Sequence, residues 1–277
     1  MSAWVTLLTN ADYLPGLRVL QRSLTEVGSS HPLEVMITAQ VDEQVRLGLD
    51  DLGLRWREVA PLAPPGHTAG AYAAGRFDSV WTKLAVWSLT DHERVVFLDS
   101  DMLVLQPMDE LFDLDLAGDN LAACHACRCN PLRIASYPPD WRPENCFYTW
   151  CDRSGRGSPP PSAGAYFNSG AMVLQPSETT MARIVDRLQA IDDLSRYPFP
   201  EQDLLNEIFD NWVQLPWYYN ALKTLPTQHP QFWRDEQVRN LHYILDKPWQ
   251  TPPAQDHTPF ARLNSWWWRC HDRAVRS

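Results

Sequence analysis

Apolar positions along this chain change period repeatedly, and each change marks an element. Residues 3–9 form a short, β-rich apolar run that predicts a strand. Leu14, Leu17, Leu20, Leu24 and Val27 then recur along one helical face and stop at Gly28. Residues 33–38 predict a second strand. Val45, Leu49 and Leu52 predict a second helix ending near Gly53, and Val80, Leu84 and Trp87 a third. Residues 94–98 read as a buried strand running into Asp99-Ser100-Asp101. This alternation predicts an α/β protein with a parallel, doubly wound sheet. Ligands of such sheets bind beyond the carboxyl ends of the strands. Asn10 and Asp99, each following a strand, are therefore expected to face one crevice.

The alternation breaks over about 120–165. That stretch holds most of the cysteines, many prolines and a Gly/Ser/Pro run over 154–164, and it predicts an irregular insertion of the kind that often shapes a substrate lid. Regular patterning resumes with a strand at 171–174, a helix carrying Met181, Ile184, Val185 and Leu188, and another carrying Leu204, Leu205, Ile208 and Phe209. Trp266-Trp267-Trp268 predicts a tail element docked over the core. We read the whole as a single domain, residues 1–277, bearing that insertion.

Composition narrows the function classes. The 277 residues are 44% hydrophobic and 21% charged, which supports a substantial core and excludes disorder. A net charge of -10 argues against nucleic-acid or anionic-membrane binding. An acidic protein that takes an anionic ligand needs a metal or a local basic group. No stretch approaches the ~20 apolar residues of a membrane span, and the first residues lack the pattern of a secretory signal, so a soluble cytoplasmic protein is expected. Five of the six cysteines fall between 124 and 151. Cys124-x-x-Cys127 has the spacing of a zinc half-site, but no second such pair follows, and the spacing of Cys146 and Cys151 does not suit a zinc ribbon. Packed thiols or disulfides are the preferred reading over structural zinc.

Several segments offer chemistry, each beside a plain alternative. Asp99 and Asp101, one residue apart at a strand end, project to the same side and can hold a hard divalent cation; a solvated acidic turn is the alternative. His242 lies in an expected strand over 238–245, where a core histidine is the commoner role, although a neutral imidazole suits Mn²⁺. Lys247, just beyond, can meet phosphate as a point charge. Lys83 sits on an amphipathic helix. Phe167-Asn168-Ser169-Gly170 reads as a polar turn entering an apolar strand, able to bond sugar hydroxyls or merely to cap. Glu201-Gln202-Asp203 opens a helix, where acids also suit the dipole.

The order of these segments is more specific than any one. Leu7-Leu8-Thr9-Asn10-Ala11-Asp12-Tyr13, Thr82-Lys83-Leu84, Val96-Phe97-Leu98-Asp99-Ser100-Asp101, Phe167-Asn168-Ser169-Gly170, Glu201-Gln202-Asp203-Leu204-Leu205-Asn206 and His242-Tyr243 with Lys247-Pro248-Trp249 together resemble glycosyltransferase family 8, the family of glycogenin and the galactinol synthases. The resemblance implies a GT-A-type nucleotide-diphospho-sugar transferase fold, a single Rossmann-like domain with a mostly parallel central sheet. It implies a Mn²⁺- (or Mg²⁺-) dependent site for a UDP-sugar, UDP-glucose or UDP-galactose, and transfer with retention to a small-molecule or glycan hydroxyl. By position, Asp99, Asp101 and His242 would ligate the metal. Leu7, Thr9, Asn10 and Tyr13 would hold the uridine, with Ser100 beside the nucleotide and Lys247 at the diphosphate. Lys83, Glu201 and Gln202 would be the catalytic groups around the donor sugar, with Asn168 and Ser169. Likeness to glycogenin is compatible with a homodimer. The chain departs from glycogenin where Asp246 stands beside Lys247 in a shorter loop that lacks glycogenin's glycine. A cysteine-containing insertion before Phe-Asn-Ser-Gly leans toward the galactinol-synthase branch. Two other classes share single features: a sugar- or zinc-binding module built on the cysteines, and a phosphatase using the first Asp of D-x-D as nucleophile, whose motif normally sits on the first strand.

Overall fold

A computed structural model of the protein describes residues 1–66, 80–152 and 163–276. The chain begins with β1 (Ser2–Leu8), α1 (Leu14–Glu26), β2 (Leu33–Ile37), α2 (Glu43–Asp51) and β3 (Arg55–Glu58). The helices stop where the sequence predicts: Gly28 and Gly53 take φ of +73° and +63°, the left-handed conformation that ends a helix at little cost. The start of α2 is set by Asp42, whose carboxylate accepts the Val45 N–H at 2.8 Å. Next come β4 (Arg94–Leu98), β5 (Met102–Val104), β6 (Leu121–His125), α3 (Phe147–Asp152) and β7 (Phe167–Leu174). The chain ends with α4 (Glu178–Gln189), α5 (Pro200–Ile208), β8 (Val213–Gln214), β9 (Ala221–Leu222), α6 (Leu225–Gln228), β10 (Asn240–His242) and α7 (Ala261–Arg276).

Seven strands form the main sheet in the order β3-β2-β1-β4-β7-β6-β8. β1 pairs in parallel with both β2 and β4, so Thr9 and Asp99 leave the same edge of the sheet. Alternate residues of the buried strands feed two layers. Trp4, Val35, Ile37, Val96 and Leu98 pack on Leu17, Leu20 and Leu24 of α1 and on Val45 and Leu49 of α2. Ala3, Val5, Met36, Val95 and Phe97 pack on Trp81 and Leu84, on Ile184 and Leu188 of α4, and on Leu204 and Leu205 of α5. A smaller sheet, β5-β10-β9, stands beside the crevice, with β10 antiparallel to β5 and parallel to β9. Helix α7 covers this sheet, burying Trp267 completely against Trp249, ring centroids 5.4 Å apart.

Five local expectations change. Phe167–Gly170 is not a turn but the start of β7, because its backbone is taken up by β6 and by the Asp99 N–H, which donates to the Gly170 carbonyl at 2.8 Å. β7 itself runs antiparallel to β4, a direction no apolar run encodes. The strand expected over 238–245 is confined to Asn240–His242, where partners exist on both sides. The helix carrying Lys83, Val80–Ser88, winds as a 3₁₀ helix rather than an α-helix. The segment expected to be irregular from about 120 opens with β6, and the part of its Gly/Ser/Pro run over 154–162 lies outside the described residues. Among the described residues, no helix is long and apolar enough to cross a membrane.

Candidate active site

The carboxyl ends of β1 and β4 open into a cavity of about 280 Å³. Leu7, Thr9, Asn10 and Tyr13 form one wall, as the end of β1 and the turn into α1. That turn holds its shape because the Asn10 side chain accepts the Asp12 N–H at 3.0 Å. Trp249 braces it from the far end of the chain, donating Nε1–H to the Asp12 carbonyl at 3.0 Å. Lys247 stands 5.8 Å over the Tyr13 ring, so the two ends of the chain share this wall.

Asp99, Ser100 and Asp101 form the floor, between the end of β4 and the start of β5. β10 pairs with β5 in a register that places His242 opposite Met102, which brings the imidazole onto the aspartates. His242 Nε2 lies 3.3 Å from Asp101 Oδ1 and 3.8 Å from Asp99 Oδ2. The hydrogen-bond directions fix the tautomer. Asn220 donates its Nδ2–H to Asn168 Oδ1 at 2.8 Å, so its own carbonyl oxygen faces His242 Nδ1 at 2.9 Å and accepts a proton from it. Nε2 then presents a lone pair to the carboxylates. Asp101 Oδ1 is buried and has no hydrogen-bond donor. A lone pair and two carboxylate oxygens converging on one point, one of them without a donor, form a set able to hold a cation between them. Their spacings approach the ~3 Å edge of an octahedron with metal–oxygen bonds near 2.1 Å. The donor set therefore fits a divalent metal.

Lysines flank this floor on both sides. Lys247 Nζ binds the second oxygen of Asp101 and donates to the Tyr243 carbonyl at 3.0 Å. Burial works to raise the Asp101 pKa, but the Lys247 ammonium brings it well below the usual carboxylate range. On the other side, Lys83 Nζ lies 2.9 Å from Asp99 and 3.0 Å from Glu201. Burial alone would favour the neutral amine, but the two carboxylates overcome it and hold Lys83 protonated. Asp99 is pushed upward by burial and by Asp101, against the pull of Lys83.

The third wall is a chain of amides. Asn168 Nδ2–H and the Ser169 N–H both donate to Gln202 Oε1, at 2.9 and 3.2 Å, and Gln202 donates to the Tyr166 hydroxyl at 3.0 Å. Ser169 Oγ–H donates to Glu201 at 3.0 Å. Tyr166 donates onward to Asp203, whose other oxygen accepts the Phe199 N–H at 2.7 Å; burial raises the Asp203 pKa to about 6. Gly170 is required at its position, since a Cβ there would lie 2.8 Å from His242 Nδ1.

The residues expected to meet the metal, the nucleotide and the donor sugar (Leu7, Thr9, Asn10, Tyr13, Lys83, Asp99, Ser100, Asp101, Asn168, Ser169, Glu201, Gln202, His242 and Lys247) thus line one cavity. Sequence reasoning missed Asn220, which sets the His242 tautomer; an asparagine after two tyrosines carries no local signal of that role. It also missed the aromatic outer wall, where Trp141 stacks on Phe199 at 4.3 Å and Tyr137 meets Phe199 edge-on at 4.8 Å. In the shortened loop before Lys247, Leu245 takes φ +66°, so a leucine adopts the left-handed conformation that glycine holds at less cost.

Lys223, just beyond β9, is fully buried. It donates to the Asp246 carbonyl, and its ammonium lies 4.8 Å over the Phe260 ring. Burial first, then the charge of Lys247, lowers its pKa from 10.5 to about 8. Between those values the folded protein has lost a proton that the unfolded chain keeps, so this group makes stability rise with pH in that window. Lys223→Met should remove a rise of up to about 3 kcal/mol between pH 7.5 and 10.5. Paired urea unfolding curves measure it. An unchanged difference between wild type and variant across that range contradicts the assignment.

This arrangement has relatives. The model for the family described as Glycosyl transferase family 8 matches residues 4–252. Galactinol synthase 6 of Arabidopsis thaliana is 31% identical over 282 residues, covering 98% of this chain and 80% of its own length. Among solved structures, the galactosyltransferase LgtC in complex with donor and acceptor sugar analogs superposes with a TM-score of 0.62 at 17% identity, covering 99% of this chain and 96% of that one. The glycosyltransferase GlyE of Streptococcus pneumoniae TIGR4 does so at 0.60 and 20%, covering 98% of this chain, which spans 61% of GlyE. At such identities the superpositions establish the fold, a GT-A-type α/β fold. With a family match over nearly its whole length and a relative at 31% identity, the chain belongs to glycosyl transferase family 8 and is a sugar-transferring enzyme.

Proposed function

We propose that this protein is a retaining, metal-dependent hexosyltransferase that moves a hexose from UDP-glucose or UDP-galactose to a hydroxyl of a small-molecule or glycan acceptor. The observation that carries the reading is the convergence of Asp99, Asp101 and His242 Nε2 on one point at the floor of the cavity, with a carboxylate oxygen that lacks a donor.

Asp99, Asp101 and His242 would hold Mn²⁺ or Mg²⁺, and the imidazole favours Mn²⁺. When bound, the ion supplies Lewis-acid charge neutralisation at the departing diphosphate. Lys247 adds a fixed positive charge where negative charge develops, an effect of a few kcal/mol per preorganised group. Leu7, Thr9, Asn10 and Tyr13 hold the uridine, the phenol ring offering it a flat face, and Ser100 lies beside the nucleotide. Lys83, Glu201, Asn168, Ser169 and Gln202 surround the donor sugar.

Retention arises either by double displacement, which requires a nucleophile behind the anomeric carbon, or by attack on the face the diphosphate leaves. The wall argues for the second. Gln202 Oε1 already accepts two hydrogen bonds, and an amide is a poor nucleophile. Glu201 is neutralised by Lys83 and bonded by Ser169, and Asp203 is engaged by Tyr166 and Phe199. The acceptor oxygen therefore bonds to the anomeric carbon as the bond from that carbon to the phosphate oxygen breaks. The hydroxyl proton passes to the leaving phosphate. Trp141, Tyr137 and Phe199 give the acceptor side an aromatic surface, which suits the C–H faces of a sugar or polyol. Likeness to galactinol synthases supports an acceptor of that kind.

The test is a panel of nucleotide sugars with water as surrogate acceptor. Slow release of hexose from UDP-glucose or UDP-galactose, dependent on Mn²⁺ and abolished by EDTA, is expected, with the α-anomer appearing first in proton NMR. Hydrolysis indifferent to EDTA would overturn the metal assignment, and a β-anomer would overturn retention.

A further inference from the structure

A second cluster of metal-ligating side chains lies outside the sugar-transfer site. Cys127 and Cys129 follow β6, Cys146 immediately precedes α3, and His229 caps the end of α6. Their exposures are 7, 4, 0 and 1%. Sγ of Cys127, Cys129 and Cys146 lie 3.5, 3.4 and 3.8 Å from His229 Nε2, and Cys146 Sγ lies 3.9 Å from Cys127 Sγ. All four ligand atoms fall within 4.8 Å of one another.

We propose that Cys127, Cys129, Cys146 and His229 bind one structural zinc ion. A tetrahedral site with bonds near 2.3 Å to sulfur and 2.0–2.1 Å to nitrogen has edges of about 3.8 Å between sulfurs and about 3.6 Å between sulfur and nitrogen. The three sulfur–nitrogen separations and the 3.9 Å between Cys146 and Cys127 Sγ match those edges, and all three cysteines are free of disulfides. Three thiols and an imidazole packed together as neutral groups satisfy few of one another's hydrogen bonds, whereas a divalent cation satisfies all four at once. The Thr149 hydroxyl, 3.3 Å from Cys129 Sγ, is placed to support a thiolate ligand from outside the ligand set. Four protein ligands close the site, so its role is to hold structure rather than to catalyse.

The ligand set differs from the sequence expectation. Cys124, first residue of the apparent half-site, instead donates to the Pro216 carbonyl at 3.2 Å, and Cys151 is exposed. Cys-x-Cys, a distant cysteine and a histidine from the far side of the chain replace the expected pair.

The placement defines what the ion secures. Cys129 and Cys146 bracket residues 130–145, which carry Tyr137 and Trp141 of the acceptor-side wall. His229 follows β9, which pairs with the strand bearing His242. The zinc ion thus ties the base of the acceptor loop to the sheet that positions the catalytic-metal ligand.

Metal analysis of the full chain, purified without chelator, should find about one zinc per molecule. It should survive EDTA dialysis sufficient to remove exchangeable manganese, and leave when a mercurial blocks the thiols. Cobalt exchanged into the site should show the d–d and sulfur-to-metal charge-transfer bands of a tetrahedral thiolate complex. Cys124→Ser and Cys151→Ser should keep full zinc, while Cys129→Ser should lower it. Because that variant could misfold, His229→Cys provides a second arm, in which zinc is retained and the cobalt charge-transfer band intensifies. A folded, reduced protein that contains less than roughly a tenth of an equivalent of zinc and takes up no cobalt overturns the proposal. So does bound iron in place of zinc, or zinc loss in Cys124→Ser equal to that in Cys129→Ser. These readouts are independent of the donor sugar and of turnover, so failure here leaves the proposed transferase activity standing.

Discussion

Asp101→Asn is expected to lower manganese-dependent hydrolysis of the donor by roughly a thousandfold, about 4 kcal/mol of transition-state stabilisation. Three effects combine. The substitution halves the anionic charge that D-x-D offers at the proposed metal position, and it puts an amide where a buried carboxylate oxygen now lacks a donor. It also releases Lys247, whose ammonium is held by that carboxylate. Asn220→Ala is the informative companion. Asn220 touches neither the aspartates' metal position nor the donor-sugar wall except through His242 and Asn168. Its loss should free the imidazole to rotate or change tautomer, with a 10- to 100-fold fall in metal affinity or activity. Manganese titration followed by electron paramagnetic resonance separates the two effects: Asp101→Asn should lose the bound signal, and Asn220→Ala should weaken it while saturating manganese restores part of the rate. Wild-type turnover in Asp101→Asn would end the metal assignment.

Lys83→Met is expected to be the most destabilising single change in the site, at about 3–5 kcal/mol. Lys83 is buried between Asp99 and Glu201, at 2.9 and 3.0 Å, and its ammonium also lies 5.3 Å over the Phe97 ring. Methionine fills the space but leaves two carboxylates close together with no cation. The sign of the pH effect follows. Without Lys83 both carboxyls favour a proton in the folded state, so their pKa values rise above the unfolded values. The variant's deficit should therefore be smaller at pH 5 than at pH 8, as the folded state takes up the proton. Manganese should recover part of the deficit by supplying a cation at Asp99. Chemical denaturation at the two pH values measures this. A variant as stable as wild type at pH 8 would show that the triad is not held as an ion cluster.

Local sequence carried a large share of this description. Strands β1, β2 and β4, helices α1, α2, α4 and α5 and the stops at Gly28 and Gly53 follow from apolar period and backbone sterics, properties that neighbouring residues settle among themselves. Asp99 and Asp101 were legible because a strand end constrains where the next residues point. What failed were features with non-local causes. Phe167–Gly170 has turn composition, yet it is drawn into β7 by partners on β6 and at Asp99. Cys124-x-x-Cys127 has ligand spacing, yet Cys124 faces Pro216 while His229 joins Cys127 across 102 residues.

By itself, the sequence determined the family, the mostly parallel α/β plan and the roster of residues at the crevice, because ordered motifs and side-chain periods are written along the chain. Only the tertiary structure decided which atoms of that roster meet: which nitrogen of His242 carries the proton, that Lys247 reaches Asp101 across 146 residues, and that three thiols close on His229. Those contacts depend on how the small sheet stacks beside the large one, and stacking is settled by the burial of whole faces rather than by any short run of residues.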